Sequence, residues 1–183
     1  MKPFEVNDAL KGFWIVYDTR EQPTETFKKR IGDFGCPSER RKLDFGDYTA
    51  ACRLPDGSEY CLDKIAVIER KESLSELCMC YTKDRERFTR EFERAAGACA
   101  KTYLLVEKAS WEKIYNGTYR SQMKPTALVG SLTTWLARYN CQLLFCQADT
   151  SGHLIHDVLY HEMKEQLSTL EIRGDDLDVS KFY

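Results

Sequence analysis

Apolar positions along the chain fall into short β-prone runs and longer stretches with helical spacing. Phe13 to Tyr17 is a β-prone run that ends in the polar tip Asp18-Thr19-Arg20-Glu21. Pro23 stands where a helix can start, and Phe27, Ile31 and Phe34 keep helical spacing up to Gly35. Leu43 to Arg53 reads as a strand, Pro55-Asp56-Gly57-Ser58 as a turn and Tyr60 to Arg70 as the returning strand. Ser73 opens a short helix, and a long one is expected from Lys83 to Lys101 with Phe88, Phe92, Ala95, Ala96 and Cys99 inward. Thr102 to Val106 reads as a buried strand ending in Glu107, and residues 110–117 as a short helix and turn. A helix from Pro125 turns Leu128, Leu132, Trp135, Leu136 and Tyr139 inward. Cys141 to Cys146 is the last expected strand and Ser151 to Leu170 the last helix.

A hairpin-bearing sheet followed by alternating strands and helices predicts an α/β fold, with a mixed central β-sheet flanked by helices on both faces. The chain of 183 residues suits one domain over 1–170. The tail 171–183 holds four acids against two bases and is expected to be loose. A net charge of -2 gives no global basic footprint, so any nucleic-acid surface has to be local. The chain has no apolar run long enough for a membrane span and no charged-then-apolar leader, so a cytoplasmic protein is expected. Its eight cysteines include no CxxC pair, which favours reduced, mostly buried thiols over a zinc site.

The chemistry concentrates in Gly46-Asp47-Tyr48 and Val67-Ile68-Glu69-Arg70-Lys71. Side chains alternate faces along a strand, so Glu69 and Lys71 point one way and Arg70 the other. An acid and an amine at the end of a buried strand are costly unless they pair or bind something. With Asp47 on the neighbouring arm, they suit the gripping of a hard divalent cation and the activation of water against a phosphodiester.

Asp18-Thr19-Arg20-Glu21, Gly46-Asp47-Tyr48 and Glu69-Arg70-Lys71, in that order, resemble the nuclease domain of XPF-type structure-selective endonucleases. These form part of the PD-(D/E)XK, restriction-endonuclease-like superfamily. The resemblance runs on through Ser73-Leu74-Ser75-Glu76-Leu77, Arg85-Glu86-Arg87-Phe88 and Tyr103-Leu104-Leu105-Val106-Glu107, over residues 13 to 140. It implies a restriction-endonuclease-like fold and cleavage of DNA at branches, flaps or forks with Mg²⁺ or Mn²⁺. It also implies catalytic roles for Asp18, Asp47, Glu69, Arg70 and Lys71, with Lys71 positioning the water. The implied cation ligands are Asp18, Asp47, Glu69 and Glu76. Glu76 stands one residue beyond the family's usual aspartate, where Ser75 lies, and Ser73-x-x-Glu76 is also a capping box.

Nothing in the chain supplies the Gly-rich hairpins of the family's tandem DNA-binding module. The chain therefore looks like a stand-alone version of the sort found in phages and mobile elements, acting in the host cytoplasm if phage-encoded. DNA affinity then has to come from the domain itself, a homodimer or a partner subunit. Arg20, Arg40, Arg41, Lys42, Arg87 and Arg90 are the expected DNA contacts. On the long helix, Lys83, Arg87, Arg90 and Arg94 form a ridge that reads equally as a solvated face with i,i+4 ion pairs. The competing functional reading is a non-catalytic DNA-binding or scaffold module of the same fold, or a subunit that needs a partner.

Overall fold

The computed structural model describes residues 1–98 and 100–170. Its strands are β1 (Trp14–Tyr17), β2 (Ser38–Arg40), β3 (Tyr48–Arg53), β4 (Glu59–Cys61), β5 (Ala66–Lys71), β6 (Lys101–Glu107) and β7 (Cys141–Cys146). They make one mixed sheet in the order β2-β1-β3-β5-β6-β7, with β4 paired to β3. β1 is parallel to β2 and antiparallel to β3, whereas β5, β6 and β7 run parallel. β4 takes the end of β3 from Ala51 to Arg53. β3 and β5 then meet through the single ladder pair Tyr48↔Ile68, so the two halves of the sheet join along a very short seam.

Helices α1 (Pro3–Lys11), α2 (Glu25–Gly32) and α7 (Ser151–Thr169) cover one face. Their core brings together Val6, Ile15, Phe34, Tyr48, Ile68, Leu105, Ile155 and Leu159. Helices α3 (Leu74–Tyr81), α4 (Arg85–Gly97), α5 (Trp111–Tyr115) and α6 (Pro125–Arg138) cover the other face. Leu77, Phe88, Phe92, Leu104, Leu128 and Trp135 fill that core. Val67 joins Phe45 and Ala95 beneath α4, while Ile68, one residue on, belongs to the α7 side. The period-2 alternation expected for Val67 to Lys71 therefore divides the strand between the two cores.

Several element boundaries depart from the sequence-based expectation. Residues 43–47 are a loop and not the start of a strand: the Leu43 N–H donates to the Asp18 carboxylate, and Gly46 turns the chain at φ +72. Leu43 and Phe45 still bury, each into a small cluster of its own, and that burial imitates strand alternation. The returning strand splits into β4 and β5, because the Ile65 and Ala66 N–H groups both close a turn onto the Leu62 carbonyl.

Among the helices, α2 begins at Glu25 with Thr24 as its cap, two residues beyond Pro23. α4 starts at Arg85 and ends at Gly97, so Lys83 lies before it and Lys101 belongs to β6; Ala96 faces solvent. Leu136 and Tyr139 are half-buried and not fully inward. Cys99 and the tail 171–183 lie outside the described residues. Two elements have no counterpart in the sequence reading, α1 and the short edge strand β2.

Gly46 has no room for a side chain, since a Cβ there would stand 2.8 Å from Val67 Cβ. With the left-handed backbone added, Gly46→Ala is expected to destabilise the fold by about 2–4 kcal/mol. Urea unfolding measures this, and an unchanged midpoint would show that the seam tolerates slack.

Candidate active site

The loop that ends at Gly46 delivers Asp47 into the seam. Its N–H donates to the Ile68 carbonyl at 2.8 Å, and its own carbonyl accepts from the Asp18 N–H at 2.8 Å. Its carboxylate Oδ2 accepts the Arg70 N–H at 2.8 Å, leaving Oδ1 without a hydrogen bond among the described residues. Glu69 and Lys71 project from the next strand on the α4 side, and both are buried. Lys71 Nζ donates to Glu69 Oε1 at 2.5 Å and lies 5.4 Å from the centre of the Phe88 ring. Glu69 Oε2 is buried with no hydrogen-bond partner among the described residues.

Burial and the neighbouring Asp47 carboxylate push the Glu69 carboxyl up to about 8. Burial disfavours the charged form of Lys71, but Glu69 and Asp47 outweigh it and hold the ammonium proton in place. The result is two acids and a cation at the end of a closed strand, with one buried oxygen unsatisfied. A divalent cation answers both the Asp47–Glu69 repulsion and the unpaired oxygen, so these residues fit such an ion. Among the described residues, no three His, Cys, Asp or Glu side chains form a preassembled cation group.

The other two expected ligands are engaged elsewhere. Asp18 is buried, and its Oδ2 accepts the Leu43 N–H at 2.6 Å. Its Oδ1 accepts from Arg20 Nε at 2.5 Å and from the Arg20 N–H at 2.8 Å. Burial works to raise its pKa, but these donors prevail and hold the carboxyl below its ordinary value. Glu76 Oε2 accepts the Glu72 N–H at 2.7 Å, while its Oε1 stands 3.9 Å from Lys71 Nζ. Ser73 Oγ caps α3 by accepting the Glu76 N–H at 3.3 Å. Glu76 thus closes its own helix start, one residue earlier than a capping box would, and also borders the site.

One acid near the site escaped the sequence reading. Glu91 of α4 accepts from Arg20 Nη1 at 3.1 Å, and its charge also bears on Glu69. In the sequence it is one of several acids interleaved with the bases of the long helix, and 71 residues separate it from Arg20.

Arg70 points to the opposite face, as alternation requires. There Glu107 is buried between two arginines, accepting from Arg30 Nη2 at 3.0 Å and lying 3.5 Å from Arg70 Nη1. Arg30 Nε donates to Ser151 Oγ at 3.1 Å, and the Tyr48 hydroxyl donates to Glu21 at 2.6 Å. Arg30 and its ion pair were not legible in the sequence, where it stands in the run Lys28-Lys29-Arg30.

The expected DNA contacts divide. Arg40 donates to the Thr19 carbonyl at 2.6 Å, and Arg41 is held between Glu39 at 2.8 Å and Glu59 at 2.6 Å. Arg87 and Arg90 form exposed pairs with Asp84 at 3.6 Å and Glu86 at 3.8 Å. Arg20 gives its donors to Asp18, Glu91 and the Gly46 carbonyl. Lys42 is exposed at the wall of a cavity. Burial pushes up the thiols of Cys52, Cys61, Cys80 and Cys146 to about 11, so they stay protonated at neutral pH and are weak nucleophiles.

Two measurements test this arrangement. Because Glu69 holds its proton up to about 8, its contribution to stability is full below the unfolded value near 4.5 and declines as pH rises through about 8. Cation-free Glu69→Gln is expected to lack that decline in a series of melts from pH 4.5 to 9. Glu107→Gln, which leaves Arg30 without its closest counter-charge, is expected to lose about 3 kcal/mol in chemical unfolding.

Residues 17–158 match the ERCC4 domain. Curated protein sequences yield no match. Among solved structures, XPF from Aeropyrum pernix is similar at a TM-score of 0.58 and 16% identity, over 85% of this chain and 61% of that one. XPF from Aeropyrum pernix in complex with DNA is similar at a TM-score of 0.58 and 17% identity, over 86% and 68%. At these identities the likeness is one of fold.

Proposed function

The chain belongs to the ERCC4-domain family of nucleases, and from that premise we propose that it is a divalent-metal-dependent DNA endonuclease that cuts at branched, flap or fork structures. The observation that carries the reading is the unpartnered, buried Glu69 Oε2 beside Asp47 and Lys71. DNA as substrate is supported by the fold shared with the Aeropyrum pernix XPF that was solved with DNA. The preference for branched structures rests on the resemblance of the three motifs to XPF-type nucleases.

Asp47 and Glu69 would hold Mg²⁺ or Mn²⁺, whose hard character suits carboxylate oxygens. Bound there, the ion would lower the pKa of a water and polarise the phosphoryl oxygen. Glu69 would give up its proton as the ion binds, so cation affinity rises with pH. Asp18, whose oxygens hold Arg20 and the Leu43 N–H, would add negative charge near the ion from the end of β1. Glu76 would do so from the α3 side. Lys71 remains protonated and aligned by Glu69, which suits it to orient the water and neutralise phosphate charge and not to accept a proton. Arg70 acts from the far face: its N–H fixes the Asp47 carboxylate while its side chain anchors to Glu107.

A labelled 3′-flap or fork duplex incubated with Mn²⁺ or Mg²⁺ is expected to be cut by the wild type and left intact in EDTA. Lys71→Ala should slow cleavage by about 10²–10³-fold, and Glu69→Gln by at least as much, with DNA binding in EDTA retained. Full activity in both variants would place the chemistry elsewhere. Binding by the wild type with no cleavage under any divalent ion would favour the non-catalytic module.

A further inference from the structure

A cavity of about 640 Å³ opens beside the site, separated from it by the Asp18–Arg20 pair. The loop 42–45, the turn at Lys64 and the last turn of α4 form its walls. Arg20 contributes structure and not free charge there, because its donors are spent on Asp18, Glu91 and the Gly46 carbonyl. With the Asp18–Arg20 pair set aside, the described lining holds three cations, Lys42, Lys64 and Arg94, against the acid Asp44.

Lys42 makes no hydrogen bond or ion pair among the described residues, acting on Asp44 only at longer range. Arg94 Nε donates to the Asp44 carbonyl at 3.0 Å, which fixes the guanidinium at the rim and leaves its Nη groups unbonded among the described residues. Lys64 pairs with Asp44 and stands 5.3 Å from the centre of the Phe45 ring. The carboxylate of Asp44 is thereby balanced, and Lys42 and Arg94 face the opening uncompensated. Phe45 is buried, so the wall offers no aromatic platform on which a base could stack.

We propose that this groove seats the phosphodiester backbone of a nucleic-acid strand next to the cut, gripping it through Lys42 and Arg94 without reading its sequence. The identity of the polyanion as DNA rests on the nuclease reading above. The assignment also sorts the basic runs of the sequence by geometry. Of Arg40-Arg41-Lys42, Arg41 is held between two acids and Arg40 bonds the Thr19 carbonyl away from the groove, so Lys42 is the member that lines it; of the ridge on α4, that member is Arg94.

Gly97 provides a test that leaves the fold intact. It lines the groove in the last turn of α4, and a Cβ there would meet nothing within 4 Å. Any ordinary residue is also a better helix former at that position. Binding of a fluorescent fork duplex is measured in EDTA over a series of salt concentrations, with cleavage under Mn²⁺ followed in parallel. Gly97→Glu is expected to weaken binding, and Gly97→Lys to tighten it, by about two- to fivefold. Lys42→Gln combined with Arg94→Gln should reduce the slope of log affinity against log salt by about 0.9 for each phosphate that is no longer neutralised.

Wild-type affinity and slope in all three proteins, with melting temperatures retained, would overturn the proposal even if cleavage proceeds normally. Altered binding in a protein that never cleaves would uphold the groove and overturn the catalytic reading. Absence of DNA binding by every form, the wild type included, would overturn the proposal as well.

Discussion

The Asp47 N–H reaches the Ile68 carbonyl, its carbonyl receives the Asp18 N–H, and its carboxylate receives the Arg70 N–H. Through these bonds one residue laces the end of β1 to β5 where, among the described residues, β3 and β5 share the single ladder pair Tyr48↔Ile68. The Thr49 hydroxyl adds a further stitch to the Ala66 carbonyl at 2.9 Å. Gly46 is what permits the approach, since a side chain there would collide with Val67. The candidate site lies on this seam because the seam is where strand ends from both halves converge, and strand ends are where polar side chains can stand beside a packed core.

Period-2 alternation then assigns neighbouring residues to different tasks. Glu69 and Lys71 turn toward α4, where they meet Asp47, Phe88 and the charge of Glu91. Arg70 turns toward α2 and α7, where Glu107 holds it and Arg30 together. Arg30 is packed tightly as well: a Cβ on Gly152 would stand 2.5 Å from its carbonyl oxygen, so the start of α7 lies directly on α2. A buried Arg–Glu–Arg group of this kind adds little net stability over an apolar core, whereas removing its central acid would leave buried charge uncompensated. The backbone that presents the two acids on one face thus carries a charged cluster on the other.

How far the sequence led follows from the range of the interactions. Glu69, Arg70 and Lys71 could be assigned to faces from their order alone, and Cys141–Cys146 was legible as a strand from its composition. α1 carries a local signal too, with Val6, Ala9 and Leu10 buried at helical spacing behind Pro3. β2 is three polar residues that pair parallel to β1 and carry no local pattern. The break between β4 and β5 was signalled only by Asp63-Lys64 inside an apolar run. Arg30 and Glu107, 77 residues apart, meet only through tertiary packing, so no local rule could join them. The same holds for the division of the basic runs into spent and unspent members, which depends on Glu39, Glu59, Asp84 and Glu86 standing within reach.

The unmade hydrogen bond at Glu69 Oε2 has a bearing on how such a chain evolves. A buried polar atom left without a partner costs the resting fold about 1–3 kcal/mol. Substitutions that supplied a permanent partner, a hydroxyl or an amide reaching in from α4, would be favoured by any selection for stability alone. Each of them would also fill a position at which the site can still bind something. Selection for a robust resting protein and selection for an occupied one therefore pull this single oxygen in opposite directions.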